Sequence, residues 1–161
     1  MKISDIETNR CILKEICIDD AEQIVAWRSN PEIYKYFKYP VKINLESHLK
    51  WFEGKYKNDS NRIDFIAFLK ENNTKIGVFS VNRNDNTSIE VSYLLDSSYQ
   101  GKGYASEILN ALEMFFSKLW SINIFIAEIH KNNINSILFI KNNGYTESEI
   151  IDNFIIFSKT L

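Results

Sequence analysis

The sequence predicts an α/β fold of the mixed α+β kind, with helices flanking a central sheet. Three observations predict it. Strand-like and helix-like segments follow one another in the order β-α-α-β-β-β-α-β-α-β. A strand-like run, Ile89 to Leu95, leads through Gln100-Gly101-Lys102-Gly103-Tyr104-Ala105 into a helical run. That helix, Ala105 to Leu119, carries the clearest apolar stripe in the chain: Ile108, Leu109, Leu112, Phe115, Phe116 and Leu119.

Taken in order, Cys11 to Ile18 reads as a first strand. Asp19 is placed to cap the next helix, with Glu22 three residues on completing a capping box. Ala21, Ile24, Val25 and Arg28 follow at helical spacing, and Asn30-Pro31 ends the helix. Ile33 to Phe37 starts a second short helix or a loop. Leu45, Leu49, Phe52 and Tyr56 share one face of a helix over Asn44 to Tyr56. Three strands then come in quick succession, Ile63 to Leu69, Lys75 to Val81 and Ser88 to Leu95, separated by Asn- and Asp-rich turns. After the long helix, Ile122 to Ile129 is apolar on both faces, as a central parallel strand tends to be. Asn135 to Asn142 is a short helix closed by Gly144. Tyr145 to Ser148 can form a further short strand, and Phe154 to Lys159 is the last one.

A length of 161 residues fits one domain, residues 1–161, around a single core. Hydrophobic residues at 45% and charged residues at 25% are ordinary for a globular protein. A net charge of −2 does not favour nucleic acid or an anionic membrane as partner. No apolar run is long enough to span a bilayer. Met1 to Arg10 is polar and lacks the apolar core of a signal peptide, so a cytoplasmic location is expected. Cys11 and Cys17 would lie about 20 Å apart along an extended strand, too far for a disulfide. His48 and His130 have no clustered cysteines, so no metal site is expected.

The glycine-containing segment says most about chemistry. A strand, a glycine turn and a helix start aim several backbone N–H groups at one spot, where the helix dipole adds positive potential. Such a place suits phosphate, here the pyrophosphate of a nucleotide-bearing cofactor. It is not Gly-x-x-x-x-Gly-Lys-Ser/Thr, because Lys102 lies between the glycines. It is not Gly-x-Gly-x-x-Gly either, because Ser106 stands where the third glycine would be.

The run Gln-x-x-Gly-x-Ala from Gln100 to Ala105 resembles the acetyl-coenzyme A loop of the GCN5-related N-acetyltransferase superfamily, and the element order from about Arg10 to Leu161 is similar to that of the superfamily. The resemblance implies a mixed, mostly antiparallel sheet, splayed by a bulge at the acetyl-coenzyme A strand. It implies that Tyr93, Leu94 and Leu95 offer backbone groups to pantetheine, as an added strand would use them. Gln100, Gly101, Lys102, Gly103, Tyr104 and Ala105 would hold the pyrophosphate. Asn133, in Asn-x-x-Ser, matches an asparagine that contacts the pantetheine arm, and it also suits a helix cap.

The implied reaction is direct acyl transfer to a primary amine, with a backbone amide near Leu94 facing the developing oxyanion. Glu90 sits where many members place a base, and His48 is the other candidate. A solvated strand residue and a polar helix residue are the plain alternatives. Ile140 stands where many members carry a tyrosine that protonates the leaving sulfur. Tyr93 or a water could replace it, and a coenzyme A-binding module without turnover is a further reading.

For the acceptor, Trp27-Arg28-Ser29-Asn30-Pro31-Glu32-Ile33 and Ser47-His48-Leu49-Lys50-Trp51-Phe52 resemble the branch that includes the acetyltransferase of pseudaminic acid biosynthesis, which modifies the 4-amino group of a UDP-linked amino-deoxy sugar. The first signature also occurs in ribosomal-protein alanine acetyltransferases. Arg28, Lys35, Lys38 and Lys42, interleaved with aromatics, would suit a nucleotide diphosphate, with Trp51 as a binding wall; a solvated loop with its aromatics folded inward, and a core place for Trp51, are the plain alternatives. An N-terminal peptide or a polyamine is the alternative acceptor. Edge strands and the apolar C-terminal strand would support a homodimer.

Overall fold

The computed structural model describes residues 3–161. Eight strands form one sheet: β1 (Ile6–Glu7), β2 (Cys11–Glu15), β3 (Arg62–Leu69), β4 (Lys75–Asn84), β5 (Ser88–Leu95), β6 (Ile124–His130), β7 (Thr146–Ile151) and β8 (Phe154–Thr160). Their spatial order is β1-β2-β3-β4-β5-β6-β8-β7. Every neighbouring pair is antiparallel except β5 and β6. The expected mixed, mostly antiparallel sheet with flanking helices is the one found.

Strand alternation divides the core between two faces. On one face Phe65, Phe79, Ile89, Val91 and Phe125 pack against α4 (Tyr104–Trp120) and α5 (Ile134–Asn142), which bury Ile108, Leu109, Leu112, Phe116 and Ile140. On the other face Ile66, Val78 and Leu94 pack beneath α1 (Ala21–Arg28) and α3 (Leu45–Gly54), through Ile24, Trp27 and Phe52. A one-turn helix, α2 (Pro31–Tyr34), follows α1. Its cap is the Asn30 side chain, which accepts from Glu32 N–H.

Local boundaries differ from the sequence reading for tertiary reasons. The first strand stops at Glu15: Ile16 N–H still donates to Asp64 C=O as the last bond of the ladder, and the chain then turns. Asp20, not Asp19, makes the local cap: its carboxylate accepts from Cys17 N–H and from Lys75 Nζ, both at 2.9 Å. Cys11 is buried in the sheet and Cys17 is exposed beyond it, both as free thiols. β6 is buried on one face only, through Phe125, Ala127 and Ile129, because its other face borders an open cleft instead of a helix. Leu119 closes no core and stays 40% exposed at the end of α4. β7 is a full six-residue strand that pairs with β8 and is exposed throughout.

Candidate active site

Parallel pairing of β5 with β6 covers only Ile89 opposite Phe125 and Glu90 opposite Ile126. Beyond these two pairs the strands diverge into a V. The V opens into a cleft of about 930 Å³ bounded by α2, β5, the glycine loop, β6 and the start of α5. The resemblance led to a bulge on β5, but its register with β4 is unbroken from Ser88 to Leu95. The splay therefore comes from the early end of the β5–β6 pairing. β4 and β5 stay close here because position 77 is glycine: a Cβ there would collide with the Leu94 carbonyl oxygen.

The unbroken register fixes which backbone groups face the cleft. Asp96 N–H donates to Ile76 C=O at 2.8 Å. Backbone direction alternates along an antiparallel strand, so Leu94 and Ser92 point toward β4, while Val91, Tyr93 and Leu95 point toward β6. This corrects the expectation for Leu94, whose amide belongs to the β4 ladder. Tyr93 and Leu95 present the N–H groups that the V leaves open. The Leu95 carbonyl accepts from Gln100 Nε2 at 3.2 Å, so Gln100 braces the loop against the strand.

Gly101 and Gly103 have φ of +75° and +83°, a region that glycine enters at no steric cost. Gly103 is the N-cap of α4, and no side chain caps it. The N–H groups of Gly103, Tyr104, Ala105 and Ser106 therefore lack the partners that a capping residue would give. An uncapped helix start on a glycine turn beside an open strand edge fits a pyrophosphate followed by an extended amide-bearing arm. Arg10 fastens the loop from behind: Nη1 donates to Lys102 C=O at 3.0 Å, Nε donates to Glu107 Oε1 at 2.8 Å, and the guanidinium lies 4.1 Å from the Tyr104 ring centre. Asn133 caps α5 by accepting from Ser136 N–H at 3.3 Å, and it lines the cleft. Its amide N–H₂ group makes no hydrogen bond among the described residues.

Alternation along β5 sends Glu90 and Tyr93 to opposite faces. Tyr93 lines the cleft against Phe139, with ring centres 4.9 Å apart. Its hydroxyl is buried with no hydrogen-bond partner among the described residues. Burial pushes it up to about 12. Ile140 is fully buried in the core and does not face the cleft. Glu90 lies at the closed end of the V, on the α1–α2 side. Burial and the neighbouring Glu128 carboxylate raise its pKa above the ordinary range, while Lys38, Asn84 and Arg62 pull in the other direction.

His48 and Trp51 do not line the cleft. His48 is 7% exposed in α3 and packs 5.4 Å from Trp51, whose ring also meets Tyr56 and the Arg62 guanidinium. Burial and Arg28 lower the His48 pKa. The Arg28 guanidinium is buried next to Asp64 and Arg62, and its Nε has no partner among the described residues. Burial lowers its pKa. Lys35 does line the cleft, but Glu32 holds its ammonium at 2.8 Å, and Glu128 holds that of Lys38. The basic stretch is thus neutralised at two of its four positions.

Two features escaped the sequence reading. Glu128 projects into the cleft from β6, hidden within a run that reads as apolar. Trp27 donates from Nε1 to Asp96 Oδ2 at 2.9 Å, tying α1 to the end of β5. Among the described residues no group of three or more His, Cys, Asp or Glu could hold a metal ion. No helix among them is long and apolar enough to cross a membrane.

Comparison with known proteins gives a consistent picture. The model of the acetyltransferase (GNAT) domain family matches residues 10–146. An uncharacterized protein of Methanocaldococcus jannaschii is 30% identical over 148 residues, which are 89% of this chain but 29% of that relative. The chain thus spans under a third of that relative's length. The uncharacterized N-acetyltransferase YnaD of Bacillus subtilis is 29% identical over 141 residues, covering 86% of this chain and 81% of the relative. The crystal structure of a domain from Methanocaldococcus jannaschii superposes with a TM-score of 0.82 at 29% identity, covering 94% of this chain and 99% of that one. Two further structures share the fold with TM-scores of 0.81 at 19% identity. One is the ribosomal L7/L12 alpha-N-protein acetyltransferase RimL in complex with coenzyme A, covering 98% of each chain. The other is apo FdhC, a nucleotide-linked sugar GNAT, covering 99% of this chain and 91% of that one.

Proposed function

The chain belongs to the GNAT acetyltransferase family, whose members use acetyl-coenzyme A, and from that premise we propose that it acetylates the 4-amino group of a UDP-linked amino-deoxy sugar. The observation that carries the transferase part is the open β5 edge running into the uncapped helix start at Gly103. Acetyl-coenzyme A supplies the acetyl group as a thioester. Tyr93 and Leu95 offer N–H groups to the pantetheine arm and to the oxygen that gains charge, and Gln100 to Ala105 hold the pyrophosphate. Asn133 offers its amide to the same arm.

Glu90 takes the proton from the acceptor ammonium. A raised carboxylate pKa brings it nearer to the amine it must deprotonate. Tyr93 holds its proton at neutral pH and lies across the strand from Glu90, so acceptor and leaving sulfur meet different faces. A thiolate leaves with little help, since a thiol is far more acidic than an alcohol. Replacing Tyr93 by phenylalanine is therefore expected to slow turnover only about tenfold, below the usual range for a required acid. Pre-steady-state coenzyme A release measures it, and an unchanged rate would assign the proton to water.

Support for the sugar acceptor comes from the two N-terminal signatures and from Tyr36 and Phe37 on the cleft wall. An aromatic wall stacks on a base or sugar ring. The Glu90–Glu128 pair favours a second reading, a cationic small amine or peptide N-terminus. The test is coenzyme A release with a UDP-4-amino sugar, a polyamine and an alanine- or serine-starting peptide in parallel. Turnover with the sugar alone is expected. Turnover with the peptide or polyamine would make the aromatic stretch structural, and binding without turnover would make the protein a coenzyme A-binding module.

A further inference from the structure

Lys38 lies on the exposed segment after α2, and its ammonium pairs with Glu128, a residue that lines the cleft. The β5–β6 register sets Glu90 opposite Ile126, and Glu128 is two residues farther along β6 on the same face. Both carboxylates therefore stand where the strands part, on the side away from the glycine loop. The charge of Glu90 acts on the Lys38 ammonium as well as that of Glu128. A protonated primary amine thus stands beside this carboxylate pair. The other lysines of the segment are differently placed: Lys35 is tied to Glu32, and Lys42 is exposed.

We propose that Lys38 occupies the acceptor-amine seat formed by Glu128 and Glu90, and that the enzyme acetylates Lys38 when no acceptor is present. The inference rests on the acetyltransferase reading above. In the step, the Lys38 ammonium gives one proton to the Glu90 carboxylate and its nitrogen lone pair forms the new bond to the thioester carbonyl carbon. The nitrogen gives up its second proton as the carbon–sulfur bond breaks with its electron pair on sulfur, and that proton, passed through Tyr93 or solvent, yields coenzyme A as the thiol. One proton returns to solvent from Glu90. The product is a neutral amide that no longer pairs with Glu128, so the segment loses its anchor in the cleft. Glu128 is a positioning residue here: it holds the ammonium next to the base.

The experiment incubates the full chain with acetyl-coenzyme A alone and follows acetylation of each lysine by peptide mass spectrometry. A parallel titration measures coenzyme A binding. Lys38 is expected to be acetylated about tenfold or more faster than Lys35 and Lys42, because the reacting groups are held together. Glu90→Gln is expected to remove that excess. Without acetyl-coenzyme A, trace labelling by acetic anhydride should find Lys38 less reactive than Lys42, with the difference lost in Glu128→Gln. Acetylation spread evenly over the exposed lysines, or an excess at Lys38 that survives Glu90→Gln, would overturn the proposal. Coenzyme A binding with no acetyl group on Lys38 would overturn it and leave the cofactor site standing. No coenzyme A binding would remove both.

Discussion

Glutamine in place of Glu90 is expected to lower kcat by about 10²- to 10⁴-fold, the range for removing a positioned general base. The wild-type rate should fall as pH drops through a value above the ordinary carboxylate range, because burial and Glu128 raise the Glu90 pKa. Glu90→Gln should lose that acid limb along with the rate. The groups that face Glu90 are Glu128, Lys38, Arg62 and Asn84, so the limb belongs to the cluster as well as to one residue. Stability moves the other way. A carboxyl with a higher pKa folded than unfolded binds its proton more tightly in the native state. Its contribution therefore turns unfavourable as pH rises from the unfolded pKa through the folded one. At neutral pH Glu90→Gln should be at least as stable as wild type, which separates lost catalysis from unfolding. A variant that kept its rate and its acid limb would remove Glu90 from the mechanism.

Methionine in place of Lys159 is expected to cost about 3–5 kcal/mol of folding stability, the usual effect of stripping one partner from a buried ion pair. Glu113 is 2% exposed in the middle of the apolar stripe of α4. Its two oxygens accept from Lys159 Nζ at 2.9 Å and from Tyr145 Oη at 2.6 Å. Without Lys159 a carboxylate stays buried with one neutral donor. Denaturant unfolding measures the loss. Pairing Lys159→Met with Glu113→Gln should recover much of the deficit, since no charge is then left buried. A single variant within about 1 kcal/mol of wild type would mean that water reaches Glu113 and screens it.

The difference between these two sites shows what the sequence could reveal. Local periodicity exposes α4 and most strands, and the glycine spacing exposes the loop, because each depends on residues close together in the chain. Glu113 could not be read as a buried anion. At position 113 the sequence shows only a charged residue interrupting an apolar stripe, while its partners come 32 and 46 positions later. The clamp of Arg10 on Glu107 spans 97 positions and was hidden for the same reason. Glu90 stands out as a candidate because it lies on the strand leading into the loop, whereas Glu128 joins it only through the two-residue pairing of β5 with β6. His48 shows the opposite failure. A histidine in a polar-looking helix suggested a base, but the packing of α3 turns it into the smaller core and away from the cleft. Backbone direction was the finest detail missed. Leu94 and its neighbours look alike in sequence, and only the register with β4 separates the amides that face the V from those that do not.

Backbone direction also gives the most direct test. Amide hydrogen exchange followed residue by residue by NMR, with and without coenzyme A, reads the contacts that the account assigns. Coenzyme A is expected to slow exchange at Tyr93 and Leu95 and at Gly103, Tyr104, Ala105 and Ser106. Leu94, already committed to β4, should stay unchanged. Saturating coenzyme A that left these amides unaffected, or that protected instead the polar hollow around Asn61, Arg83 and Asp85, would contradict the placement of the cofactor in the V and the function derived from it.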